Sequence, residues 1–402
     1  MYMPNPSIII GLTTTFFVFL TTLSIVFPSL FSSLFGRFSS NLDALQLGIL
    51  GLPVVIISSL LLLFGFAYYK QKLPRPIHNL IELIRSFELS PKATFVTLVI
   101  IFGIYIGFST PELFLDEMEQ FHDYEVLQDA LEIWPDGKSN NPFIEEQNDR
   151  YVRMFLLDVS QNIFQNIKIL PFLASILVLF FTYLLTVQLS QKRFPGIIAI
   201  LVLLQSHTFL KFDTIAVYEN FWVLFYLLSL FVIRKNWFLS PVFYILAFFT
   251  KAFIAPYFVM TLFFASKSKI SLRKKFLVLI AYIAIIVIAL TVIFVGETLY
   301  PTIIEINPSK FFVGLATFSP LLRFDYFLLV TILPVVIGLT ILSKNQSKQI
   351  QSILVLILGT LIAGPILIVF TNFYEILPYR YIPLIVFFAI GIGMFFSKKN
   401  TH

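Results

Sequence analysis

Five charged residues stand where an otherwise apolar chain has little reason to keep charge: Asp116, Glu117, Glu219, Lys251 and Arg380. Asp116 and Glu117 lie in "FLDEMEQF", a few residues after the apolar run "FVTLVIIFGIYIGF", and so at the surface of any bilayer that run crosses. A carboxylate at that depth can reach a lipid headgroup, act as a general base, or hold a divalent cation such as Mg2+ or Mn2+. Glu219 opens the apolar segment "NFWVLFYLLSLFVI", with Asp213 and Tyr218 just before it. Lys251 interrupts about thirty mostly apolar residues, and a charge inside a membrane segment costs several kcal/mol unless it snorkels, pairs or faces a polar cavity. Arg380, between Tyr379 and Tyr381, leads into the last apolar run. Cations that hold a phosphate and a carboxylate that takes a proton from an attacking group would make a group-transfer site for a lipid phosphate.

Each residue also has a plainer account. Lys251 could cap a helical hairpin at the headgroups, and Arg380 could anchor an aromatic belt. Thirteen of the 22 Asp and Glu residues fall between Glu112 and Asp158, and the later ones (Asp136, Glu145, Glu146 and Asp149) read as a solvated face. At helical spacing Asp116, Glu119 or Gln120, and Asp123 share a side, with Glu117 and His122 beside them. His122 is the one His of four that lies among acids, and it reads as their surface partner more than as a metal ligand.

What must position these groups is a membrane-spanning helical body. The chain has 402 residues, 58% hydrophobic, 17% aromatic and 12% charged, far more apolar surface than one soluble core could bury. It has no Cys, which excludes disulfides, thiolate metal sites and a Cys nucleophile. The first apolar run, roughly 8 to 31, lacks a basic leader and a cleavage pattern, and reads as a retained helix. Apolar windows predict spans at 8–30, 46–69, 168–188, 275–296, 325–343 and 352–371, with shorter runs at 94–109, 194–206, 220–234, 236–250, 252–266 and 380–396. That makes about twelve helices. Clusters of Lys and Arg near 70–75, 192–193, 234–235, 267–275, 344–348 and 398–399 all fall on one side, so a multi-pass protein of the cell membrane with both termini cytoplasmic is expected.

Residues 110–167 then form one long outer loop. Met118, Phe121, Tyr124, Leu127 and Leu131 predict one amphipathic helix there, and Tyr151 to Asn166 a second, with Phe155, Val159 and Ile163 on one side and Arg153 on another. On the other side of the membrane, "PIHNLIELIRSFELS" has apolar residues at helical spacing and is expected along the interface. The expected division is 1–93, two membrane helices and this interfacial segment, and 94–402, a single membrane domain. The basic residues are spread over cytoplasmic loop ends, so nucleic-acid binding has no support, and no Gly-rich nucleotide loop or Ser/His/Asp set is present.

Four stretches in this order, "FLDEMEQF", "FDTIAVYENFWVLFYLLSLF", "LAFFTKAFIAPYF" and "LPYRYIPLIVFF", resemble the GT-C superfamily of membrane glycosyltransferases, in its branch of protein O-mannosyltransferases and aminoarabinose transferases. The resemblance covers roughly 94–396 and implies an all-α, GT-C-like fold with two juxtamembrane helices in the first loop. It implies transfer of a sugar from a polyprenyl-phosphate-linked donor to a protein, glycan or lipid acceptor at the outer or lumenal face. Carried over, Asp116 or Glu117 would activate the acceptor or ligate a metal, while Thr250, Lys251 and Arg380 would contact the donor phosphate. Glu219, Tyr379, His122 and Asp123 complete the expected substrate-binding set. The chain departs from the family in three ways. Two spanning helices precede the loop-bearing one, no strict Asp-x-Asp is present, and the WWDYG motif and soluble C-terminal domain of oligosaccharyltransferases are missing. A transporter or lipid flippase and a noncatalytic subunit of a membrane complex stand as alternatives.

Overall fold

The structure is a computed structural model that describes residues 6–30, 43, 45–118, 121, 123–135, 137, 139–148, 150–295, 306–345, 348–370 and 377–397. Every regular element among these residues is a helix. Six helices are long and apolar enough to cross a membrane: Pro6–Val26, Gly51–Tyr69, Pro91–Phe114, Ile169–Ser190, Tyr326–Lys344 and Lys348–Phe370. Such helices satisfy their own backbone polar groups and mark a membrane-embedded protein. Hydroxyls inside them are satisfied locally as well. Thr14, Thr21 and Thr22 donate to the carbonyls of Ile10, Phe17 and Val18 one turn back.

The other expected helices are present too. Leu272–Val295 runs for 24 residues. The apolar helices Phe194–Leu204, Phe221–Val232, Leu239–Thr250, Tyr257–Lys267 and Pro378–Met394 are shorter. At 1.5 Å per residue, the 12-residue Leu239–Thr250 helix spans only about 18 Å, well short of a hydrocarbon layer of about 30 Å. Of the charged breaks between these short helices, the one at Lys251 is buried, whereas Lys235 is exposed.

The first helix is not an appendage to the rest. Pro6–Val26 packs between the Tyr326–Asn345 and Lys348–Phe370 helices, where Thr340 Oγ1 donates to the Gly11 carbonyl at 3.3 Å and Thr14 Oγ1 to that of Leu354 at 3.4 Å. Ser58 of the Gly51–Tyr69 helix donates to the Val330 carbonyl at 2.8 Å. The helices Pro6–Val26 and Gly51–Tyr69 thus pack on the C-terminal half of the chain.

Two ends of the bundle can be distinguished. At one, the Pro91–Ser109 helix tightens into a 3-10 turn, Thr110–Phe114, at Pro111, and the 110–167 segment follows. At the other, Glu88 accepts from the Arg193 amide at 2.9 Å and Arg85 donates to the Phe395 carbonyl at 3.1 Å, which gathers 85–88, 193 and 395 together.

Within the 110–167 segment, the first helix differs from its expected form. It runs Asp123–Ile133 and does not include Met118. Asp116 Oδ1 accepts from the Met118 amide at 2.9 Å, closing a local turn that competes with helix, while Leu115 is extended. The second helix, Tyr151–Phe164, is where the spacing placed it. Its inward face is Arg153, Met154, Leu157 and Ser160, whereas Phe155 and Ile163 face away from the protein.

Candidate functional site

At the loop end a group of charges is withdrawn from water. Glu117, Arg153, Lys168, Glu219 and Lys251 are all buried, and Arg153 and Glu219 almost completely. The carboxylate of Glu117 accepts from the backbone amides of Ala216, at 2.7 Å, and Val217, at 3.3 Å. Arg153 takes hold of the same two residues by their carbonyls, donating to Val217 at 2.8 Å and to Ala216 at 3.4 Å. One acid and one base therefore grip the two sides of a single backbone stretch.

That grip brings the loop to Glu219, two residues on. Arg153 Nε lies 3.5 Å from Glu219 Oε2. Lys168, at the start of the Ile169–Ser190 helix, lies 3.8 Å from Glu117 Oε1 and donates to the carbonyls of Leu115, at 2.6 Å, and Glu112, at 3.1 Å. Burial pushes the Glu117 carboxyl above the usual glutamate range, opposed by the Ala216 amide and by Lys168. Burial does the same to Glu219, opposed by Arg153 and then Lys251.

Lys251 sits where the Leu239–Thr250 helix breaks, in extended backbone before the short Ala252–Ile254 turn. A charge amid apolar residues does mark a reversal of the chain, as its sequence suggests, but the ammonium is inside the protein and is no headgroup cap. It donates to the Tyr379 hydroxyl and lies 4.1 Å from the centre of that ring. Such a cation-aromatic contact gains strength when desolvated. Tyr379 in turn stacks on Tyr218, 4.7 Å between ring centres, and Tyr218 donates to Asp123 at 2.6 Å. Arg380, half-buried, holds its guanidinium 5.2 Å from the centre of the Phe253 ring.

The expected residues thus divide. Glu117, Glu219, Lys251, Tyr379, Arg380 and Asp123 are drawn together through Tyr218, Arg153 and the 215–219 backbone. Asp116 is exposed beside them, its side chain turned back on Met118. His122 lies outside the described residues. Asp116 and Glu117 do not point at a common centre, and among the described residues no three His, Asp or Glu side chains gather to hold a metal ion. Several fully buried polar atoms in this region have no hydrogen-bond partner in the protein: both carboxylate oxygens of Glu219, Trp222 Nε1 and the Tyr257 hydroxyl. Of these, Glu219 Oε2 is met by Arg153 as an ion pair.

Arg153 and Lys168 are site residues that the charge pattern alone did not single out. Arg153 had a signal, since it shares a face with Leu157 and Ser160 at helical spacing, and that face is the buried one. Lys168 begins an apolar span and so resembles an ordinary snorkelling lysine. A second polar pair, Ser109 donating to Asp213 at 2.8 Å, fixes the end of the Pro91–Ser109 helix to the same backbone segment. Comparison of the chain with protein-family models, curated sequences and solved structures returns no match.

Proposed function

We propose that the chain is a multi-pass membrane glycosyltransferase of GT-C type, with about twelve spans and both termini cytoplasmic, that transfers a sugar from a polyprenyl-phosphate-linked donor to an acceptor at the outer or lumenal face. The observation that carries the reading is the joint burial of Lys251, Glu219 and Tyr379 beside Arg380, with Trp222 Nε1 and the Tyr257 hydroxyl buried nearby without a hydrogen-bond partner. A buried ammonium with a guanidinium beside it suits a leaving phosphate, because desolvation strengthens the attraction between opposite charges.

In this reading the acceptor hydroxyl gives its proton to the exposed Asp116 carboxylate as its oxygen bonds to the anomeric carbon of the sugar. The bond from that carbon to the phosphate oxygen breaks, and its electron pair leaves with the phosphate, held by Lys251 and Arg380. Glu117 is a positioning residue, since its oxygens are engaged by Ala216 and Val217. The test is transfer from a polyprenyl-phospho-sugar in membranes by wild type, Asp116→Asn and Lys251→Met. About a hundredfold loss is expected for either variant, a usual scale for removing a general base or an electrostatic stabiliser. Undiminished transfer by Asp116→Asn removes the assigned base.

A noncatalytic subunit is the second reading, favoured by one observation: the better-placed acid, Glu117, is fully occupied in holding the fold. Copurification with stoichiometric partners and no transfer by the wild type would favour it.

A further inference from the structure

At the end of the bundle away from this site, the Arg75–Ser86 helix is mounted the wrong way round for a soluble protein. Its polar side faces the protein: His78 stacks on Tyr68 at 5.4 Å, Glu82 accepts from the Tyr68 hydroxyl, and Arg85 donates to Tyr68 at 2.5 Å and to the Phe395 carbonyl at 3.1 Å. Its apolar side faces out. Ile77, Leu80, Leu83, Ile84 and Phe87 are 41%, 55%, 65%, 38% and 46% exposed. A surface helix normally buries its apolar stripe against the core and shows water its charges.

Two further observations say what covers this stripe. The flanking helices Gly51–Tyr69 and Pro91–Phe114 are the least buried of the six long apolar helices, at 17% each, so the exposed stripe adjoins surfaces that already face lipid. Lys70, Lys72 and Arg75, all exposed, stand at the entrance to the helix. Apolar residues beside a basic cluster at the level of the headgroups match an anionic bilayer surface.

We infer that the 70–87 segment is a binding surface for anionic phospholipid headgroups, with its apolar stripe in the upper acyl layer and Lys70, Lys72 and Arg75 among the phosphates. This surface is separate from the loop-end site and does not depend on the function proposed for it. The polar side of the helix ties the lipid-bound stripe to Phe395, at the end of the last helix.

The chain contains no Cys, so Leu83→Cys carries a single bimane fluorophore on the full-length protein. In vesicles of phosphatidylcholine and phosphatidylglycerol, quenching by lipid-attached nitroxide is expected to exceed quenching by aqueous iodide severalfold. Nitroxide on phosphatidylglycerol should quench more than nitroxide on phosphatidylcholine. Each of Lys70→Gln, Lys72→Gln and Arg75→Gln should lower that excess, by up to about fivefold per charge, and 1 M salt should abolish it. Dominant quenching by iodide overturns the proposal, as does equal quenching by the two nitroxide lipids. Energy transfer between labelled copies that accounts for the shielding would assign the surface to a second copy of the chain and overturn it equally.

Discussion

The two ends of the bundle treat charge in opposite ways. At the loop end, Arg153 and Glu219 are 1% and 0% exposed and meet at 3.5 Å. At the other end, Arg193 and Glu88 meet at a similar 3.7 Å but remain 42% and 36% exposed. The same pair of residue types at nearly the same distance has different consequences, because water rather than separation decides what the contact is worth. A wet pair can lose a partner to solvent, whereas a buried one leaves an uncompensated ion.

Breaking each pair measures the contrast. Glu219→Ala is expected to cost about 3–5 kcal/mol by stranding Arg153, read as loss of monodisperse protein on heating in detergent. A double change, Arg153→Met with Glu219→Leu, should recover much of that loss. If the double variant is no better than the single, the penalty does not come from the unpaired charge. Glu117→Ala removes an ionised acceptor from two amides and should cost about 2–3 kcal/mol, visible as faster hydrogen exchange at Ala216 and Val217.

A smaller effect follows from pH. Burial raises the Glu117 carboxyl, so its contribution to stability is largest below the ordinary glutamate pKa and is lost as pH rises through the raised one. Protection of the Ala216 and Val217 amides, corrected for intrinsic exchange, should therefore grow as pH falls from neutral toward 5, and Glu117→Gln should flatten the trend. The smallest effect belongs to the wet pair: Glu88→Ala should change stability by about 0–1 kcal/mol, and a larger loss in the same heating assay would erase the distinction between the ends.

How much of this could be read from the sequence varies with the physics involved. The apolar helices stand where hydropathy places them, since twenty apolar residues in a row leave few alternatives. The break at Lys251 was legible for the same reason, as a charge that needed an exit from lipid. Its burial against Tyr379 was not, because 128 residues separate the two and neither marks the other in the chain. The helix expected from Met118 begins instead at Asp123, where a local side-chain turn at Asp116 defeats the hydrophobic spacing. Glu117 looked like half of an acidic pair, yet its partners are peptide groups of Ala216 and Val217, which no residue type advertises.

That last feature bears on how the chain can change over time. Two side chains that read peptide groups place almost no demand on which amino acids stand at 216 and 217, beyond the size that burial allows. Proline is the exception, since it would remove an amide that Glu117 needs. Substitutions there can accumulate without a compensating change at Glu117 or Arg153, so the joint between the loop and the membrane body would leave little trace as correlated variation between its two sides. A tie made this way tolerates drift in one of its partners while the geometry it enforces stays put.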